Sequence, residues 1–402
     1  MSALGRTDRY IIAVVALFTV LAGVARYGHW SSIVAFCFAT VALAGLAHIV
    51  AVGVESVGEL LGAGIAGFMQ ATLGNLPELF LVIFALAQGE AVVAQSTVIG
   101  SIFSNALLVL GIVIVVGSRR APDGVMRFGH RLANDTATLL IAATFIIVIV
   151  GLSLQTHDPA SSHVSTVSTV AAIGLLIVYI AWVVPYIRSS GAPDSAYAAP
   201  EVAGDGPAGS RVTRAEPQAQ GGIAVAEAAP VVAPPVPAVA EDEDDGLPHL
   251  PLKIGIILLA IGGVGAAFVS DWFVTALAPT VDQLGISRAF AGLVIAAIAG
   301  NAVENITAVI LASKGQFDLA VSVVKNSVGQ MAAFMWPALV LISLPLTTKL
   351  TFSLHPVYIG ALLVTALAMW QITGDGEAVA FEGLALIAIY LTLAGITLYE
   401  TV

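Results

Sequence analysis

The sequence predicts an all-α polytopic membrane protein of about eleven transmembrane helices, an extra first helix followed by two inverted five-helix repeats. Three observations predict it. Of 402 residues, 58% are apolar and 10% charged, where an ordinary soluble domain carries about 25% charged residues. Apolar stretches of the length a bilayer demands recur along the chain, without the alternation in segments of about ten residues that a transmembrane barrel needs. A Gly-Asn-x-x-Glu block also occurs twice, 226 residues apart.

A chain this poor in charge cannot build a water-facing surface, so membrane lipid is its main solvent and a cytosolic enzyme is excluded. The net charge of -11 and the lack of any basic cluster exclude a nucleic-acid partner. The single cysteine, Cys37, allows neither an intramolecular disulfide nor a cysteine metal cluster, and its apolar surroundings read as core. A homo-oligomer stays open, and no resident cofactor is expected.

The spans fall near 9–26, 31–53, 60–87, 91–117, 132–154, 167–187, 252–277, 285–312, 317–343, 353–373 and 378–400. Residues 1–30 hold the N-terminus and first helix, 31–187 the first repeat and 251–402 the second. The first apolar run has an alternative reading, a signal peptide cut after "AGVA" at 22–25. Between 188 and 250 the composition turns to Pro, Ala, Gly, Ser and Glu with no apolar face, which predicts a disordered linker. This linker carries seven of the eleven excess negative charges, and its run Glu241 to Asp245 lacks the spacing of a calcium loop. With the N-terminus inside, eleven basic residues flank the inner ends of spans and three the outer ends. That asymmetry places the protein in a cell (inner) membrane with the N-terminus and linker cytoplasmic and the C-terminus outside.

The two halves align through "GNLPE" at 74–78 and "GNAVE" at 300–304, and the same offset pairs Gly89 with Gly315, Ser96 with Ser322 and Ser101 with Ser327. Five crossings separate equivalent points, so the halves have opposite orientation. That plan belongs to secondary transporters whose site lies at the bilayer midplane. A carboxylate at the centre of a spanning helix costs about 2.5–3.5 kcal/mol on the insertion scale. Glu78 and Glu304 therefore imply a role, and their recurrence at constant register favours an ion path over a satisfied interhelical hydrogen bond. Gly74 and Gly300 let the helix loosen, and Pro77 frees a carbonyl from its helical bond. Asn75, Asn301, Ser101, Ser104, Asn105, Asn326, Ser327 and Gln330 supply further oxygens, enough for the roughly six to eight that calcium takes. Taken singly, each of these serines and amides reads as helix-packing glue. Glu55 and Glu59, near the inner end of the third span, read as a solvated entrance. Lys325 has two readings, a crevice residue paired with a carboxylate or a side chain snorkelling to the interface.

The blocks "GNLPELFLVIFALAQGEAVVAQSTVIGSIFSNALLVLG" and "GNAVENITAVILASKGQFDLAVSVVKNSVGQMAAFMWP" resemble the paired signature repeats of the calcium/cation antiporter superfamily. Within it they look most like the cation exchanger (CAX) family of calcium/proton antiporters. The resemblance implies a sodium/calcium-exchanger-like fold, with Glu78 and Glu304 binding the transported cation in exchange for protons. It also extends to Asn75, Asn301, Gly100, Ser101, Ser104, Asn105, Asp318, Ser327 and Gln330. Three positions depart: Asn305 stands where the family usually has histidine, Asn326 interrupts a Gly-Ser-Ser run, and Lys325 replaces an apolar residue. The resemblance thus makes Ca2+ and H+ the transported ions, while the absent imidazole leaves Na+ open as coupling or transported ion.

The mechanism expected is competition: one divalent cation and protons neutralise the same pair of acids, because two bare carboxylates close together in low dielectric are unstable. Rocking is then permitted with either bound and suppressed with neither. The alternatives are a sodium/calcium or sodium/proton exchanger on this scaffold, and a passive cation channel. Seven histidines without a His-x-x-x-His spacing, and no Gly-x-Ser-x-Gly or phosphate loop, argue against a membrane enzyme. Deleting 195–240 is expected to leave transport rates within a few-fold of wild type in vesicle flux assays.

Overall fold

The structure, a computed structural model, describes residues 6–61, 69, 72–189 and 251–400. The segment 190–250, on which almost all of the expected linker falls, lies outside the described residues. The chain runs α1 (Arg6–Tyr27), α2 (Ser32–Leu61), α3 (Leu76–Ala87), α4 (Ala91–Arg120), β1 (Val125–Arg127), α5 (His130–Gln155) and α6 (Val164–Ser189). It resumes with α7 (Leu252–Leu284), α8 (Arg288–Gly300), α9 (Ala302–Ser313), α10 (317–342), α11 (Pro356–Thr373), β2 (Glu377–Val379) and α12 (Ala380–Leu398).

Among the described residues, eight helices are long and apolar enough to cross a membrane, or nine if the bent pair α8 and α9 is one span. The helix α10 is not among them, and it carries Asp318, Lys325, Asn326 and Gln330. Large apolar side chains point away from the protein on the outer helices, as with Leu17 and Val20 on α1, Ile177 on α6 and Ile261 on α7. Such a surface is a lipid-facing one.

Some boundaries differ from those read in the sequence. The second helix continues to Leu61, so Glu55 belongs to its last turns, where it is exposed, rather than to the third span; the side chain of Glu59 lies outside the described residues. The seventh runs on to Leu284 through Pro279, which removes one rung of the ladder without ending the helix. Cys37 is exposed rather than in the core. In lipid an apolar run faces outward as readily as inward, so apolarity did not fix its side.

Packing is set by small residues that bring backbones together. A Cβ on Gly53 of α2 would lie 2.7 Å from the backbone nitrogen of Leu259 on α7, and one on Gly262 of α7 3.1 Å from that of Val50. The helix α4 is the most enclosed, with 83% of its apolar stretch buried against 17% for α1. It meets α8 where a Cβ on Gly100 would lie 2.4 Å from the carbonyl oxygen of Leu293, and α12 where Gly111 and Gly383 face one another. Because a Cβ on Gly383 would come within 2.5 Å of the Gly111 carbonyl oxygen, Gly383→Val must part the two helices. Its expected cost is about 1–3 kcal/mol, read as a lowered melting temperature in detergent.

The β1 and β2 strands pair antiparallel, Met126 opposite Ala378, and tie the α4–α5 turn to the α11–α12 turn. Arg127 reinforces this ribbon by contacting Asp123 at 2.6 Å and Glu377 at 3.1 Å.

Candidate functional site

The site is assembled by two helix starts of the same construction. Asn75 precedes α3 with φ -91° and ψ 15°, and Asn301 precedes α9 with φ -98° and ψ 12°. In both, the Asn carbonyl accepts from the amide four residues on at 3.0 Å, Leu79 in one and Asn305 in the other. Both helices are twelve residues long, and they run out into Gly89 (φ 84°) and Gly315 (φ 82°), a left-handed conformation that glycine adopts without a Cβ penalty. At Asn301 the chain bends by 62° between α8 and α9. Glycine before each Asn weakens helical continuity, and Pro77 in the first turn of α3 has no amide hydrogen to offer the preceding turn. Each break places a glutamate, Glu78 or Glu304, in the first turn of the new helix, where the helix dipole favours negative charge.

Glu78 is 1% exposed. Its Oε1 accepts from the Ser101 hydroxyl of α4 and, at 2.5 Å, from Nδ2 of Asn301 in the other half of the chain. Asn301 Nδ2 also donates to Ser101 Oγ at 3.1 Å and to the Ala297 carbonyl at 3.0 Å, which orients its amide oxygen the other way. Gly300 lies behind the carboxylate: a Cβ there would sit 2.5 Å from Glu78 Cγ. Glu304 lies beside Ser327 and near enough to Glu78 for the two carboxylates to interact. Ser327 Oγ in turn accepts from Asn105 Nδ2 at 2.8 Å.

Four oxygens of this group, Glu78 Oε2, Glu304 Oε2, Asn301 Oδ1 and Ser104 Oγ, are buried with no hydrogen-bond partner among the described residues. Leaving a buried acceptor unmatched is costly, so a cluster of hard oxygens in this condition suits a cation that binds and leaves. No three His, Cys, Asp or Glu side chains gather at one point among the described residues. Two carboxylates with amide and hydroxyl oxygens beside them are the candidate donors.

Ser104 and Asn105 sit in a π-helical segment (Ser104–Val109) inside α4, and Gln330 is half-buried just before the matching segment (Met331–Met335) of α10. Such π-turns locally shift side-chain register. Gly74 is half-buried in the turn before Asn75, and Asn75 itself is buried. Asn305 and Asn326 are half-buried, each with a buried Oδ1 lacking a hydrogen-bond partner among the described residues.

Lys325 is entirely buried and donates from Nζ to Thr373 Oγ1, whose own hydroxyl goes to the Met369 carbonyl at 2.6 Å. Its side chain is thus enclosed within the bundle, with its amino group beside the last turn of α11. Asp318 accepts from the Gly129 amide at 2.6 Å at the start of α10. That is nine residues before Ser327, about 13 Å along the helix, so it belongs to a loop anchor.

Two residues of α7 were not singled out in the sequence. Buried Ser270 reaches the Pro77 carbonyl at 3.4 Å, and Asp271 accepts from Gln88 Nε2 at 3.1 Å, so α7 grips both ends of α3. The available signal was an acid in the middle of an apolar helix.

The profile of the sodium/calcium exchanger protein family matches residues 31–186 and 254–399. The chain belongs to this family. Both members of the Gly-Asn-x-x-Glu pair fall inside the matched segments, while α1 falls outside them. The resemblance to calcium/cation antiporters read from the motifs is borne out. The chain is 28% identical over 395 residues to a Ca(2+)/H(+) antiporter of Synechocystis sp., covering 96% of this chain and 97% of that one. It is 27% identical over 389 residues to the Ca(2+)/H(+) antiporter ChaA of Bacillus subtilis, covering 96% and 98%. Among solved structures, that of native YfkE superposes with a TM-score of 0.73 at 25% identity, covering 97% of this chain and all of that one.

Proposed function

We propose that this membrane protein is a secondary active antiporter that exchanges calcium for protons by alternating access. The observation that carries the reading is the seam between the halves, where Glu78 of one half is held by Asn301 of the other and each glutamate keeps one bare oxygen. A divalent cation entering this seam meets two carboxylates and the oxygens of Asn301 and Ser104. Without it, the same pair must take up protons, because two adjacent buried charges are unstable in low dielectric. Cargo and coupling ion thus exclude one another at one site.

The reading includes eleven spans in two inverted five-helix repeats, with the N-terminus cytoplasmic. It is supported by how the turns associate. The β1–β2 ribbon and the Gly129–Asp318 contact join turns that this topology puts inside. Glu90–Arg288 at 2.9 Å, Gln95–Ser353 at 3.2 Å and Ser287–Thr397 join positions that it puts outside.

The test is flux in proteoliposomes. A pH jump is expected to drive calcium uptake against its gradient, and a sodium gradient of equal size is not. Uptake driven by sodium alone would instead favour a sodium-coupled exchanger, and downhill flux without countermovement of protons would make the protein a channel. Replacing both Glu78 and Glu304 is also expected to abolish the calcium-dependent rise in melting temperature, which follows from binding to the native state alone.

A further inference from the structure

The helix α8 reaches the site at one end, where the 62° bend at Asn301 separates it from α9, and is tied down at the other. In its first turn Arg288 Nη1 donates to both carboxylate oxygens of Glu90, at 2.9 and 3.1 Å, with the two side chains 30% and 14% exposed. Glu90 is the residue that precedes α4. Next to Arg288, buried Ser287 accepts from the Phe290 amide at 2.8 Å and donates to the Thr397 carbonyl of α12. Below these ties α4 and α8 are in backbone contact. A Cβ on Gly292 would lie 2.9 Å from the Val93 carbonyl oxygen, and one on Gly100 2.4 Å from that of Leu293. No water fits between backbones this close, so the seam between the two helices is sealed.

The repeat shows that this closure is one-sided. The offset of 226 pairs Arg288 with Gly62, Ser287 with Leu61 and Glu90 with Gln316. None of those counterparts can form the ion pair or the hydroxyl tie. The contacts found on the side that the topology puts inside, the β1–β2 ribbon and Gly129–Asp318, involve none of residues 61–74. Closure and site are also linked through the bend, because Asn301 gives the amide that holds Glu78. An arm that swings out about Asn301 therefore opens the seam and turns that amide in one motion. The arm contains a π-helical segment (Ala291–Ala296), a local departure from α-helical hydrogen bonding.

We propose that the Glu90–Arg288 pair is an outer latch, which holds α8 against α4 over the site and makes the inward-facing form the resting one. A partly buried ion pair suits this work. Water entering the opened seam solvates both partners, so release costs less than exposing an apolar contact of the same strength, and closing restores the pair without any other rearrangement. The inference rests on the alternating-access reading and topology above, and assigns the contact that sets the resting side of that cycle.

The test uses the full chain in right-side-out membrane vesicles, with a maleimide that cannot cross the membrane added outside. Cys37→Ser removes the native thiol. Thr97→Cys places a reporter one turn outward of Ser101 on the same face of α4, at a position that is 0% exposed and whose hydroxyl bonds the Val93 carbonyl of its own helix at 2.8 Å. In this background Glu90→Gln and Arg288→Gln are each expected to speed labelling about tenfold, the lower end of what a charged hydrogen bond contributes. The double variant is expected to be no faster than the singles, because both act through one contact. A second reporter, Thr144→Cys, buried on α5 away from the seam, is expected to stay slow in all three. Unchanged labelling at position 97 in the single variants would overturn the proposal. So would multiplied effects in the double variant, or an equal rise at position 144, which marks general loosening. Absence of calcium/proton exchange in the wild-type chain would overturn the functional reading instead, whereas the labelling comparison involves no transport and decides the latch by itself.

Discussion

Glu78→Gln is expected to stop calcium/proton exchange while leaving the protein folded, and Glu304→Gln to do the same. Glutamine preserves the volume at Glu78, and the Ser101 hydroxyl and Asn301 amide still have an oxygen to meet. What disappears is one of the two charges that a divalent cation needs in a site that is 1% exposed at this residue. With one carboxylate left, the loss is at least about 3 kcal/mol, or more than about 100-fold in affinity. The folded state does not share this loss, since removing an uncompensated buried charge is neutral or stabilising. The measurements are flux and detergent melting on the same preparation. The expected pattern is flux at background with a melting temperature at or above that of wild type. Normal flux in either variant would refute the shared-carboxylate mechanism.

The residues that carry this prediction were readable from the chain because each breaks a rule that lipid enforces. An acid in an apolar span, a glycine-asparagine pair where a helix should continue and a second copy of both at one offset are all costly unless used. The backbone agrees in detail at Asn75 and Asn301 and again at Gly89 and Gly315. What could not be read is which half supplies which partner. Proximity in sequence pointed to Asn75 for Glu78, one turn away, yet the amide that reaches Oε1 of Glu78 is that of Asn301. Helix crossing decides this, and crossing is set by where small residues let backbones touch, as at Gly100 and Leu293. Cys37 escaped for a related reason, since hydropathy is the same for a side chain facing lipid and one facing a neighbour. The hydrogen-bond partner of Lys325 was equally out of reach, because Thr373 lies 48 residues away.

The cross-half seam makes a second prediction that tests geometry rather than charge. Gly300→Ala is expected to lower the apparent calcium affinity by about 10- to 100-fold with little change in the amount of folded protein. The added Cβ would sit 2.5 Å from Glu78 Cγ and 3.1 Å from both Cδ and Oε1. The Cγ is close to the backbone of α3, so it cannot swing clear as a flexible tip would, and the carboxylate has to be displaced. Overpacking of this kind costs about 1–3 kcal/mol, which converts to roughly the stated range when it falls on the bound geometry. Moving Glu78 also disturbs its 2.5 Å contact with Asn301 and the Ser101 hydroxyl bond, so both halves feel the change. Calcium titration of the exchange rate separates the outcomes. A shifted midpoint with a preserved maximal rate shows that close approach of Gly300 sets cation affinity, whereas an unshifted midpoint would mean that the carboxylate position beside Gly300 is not the one that binds.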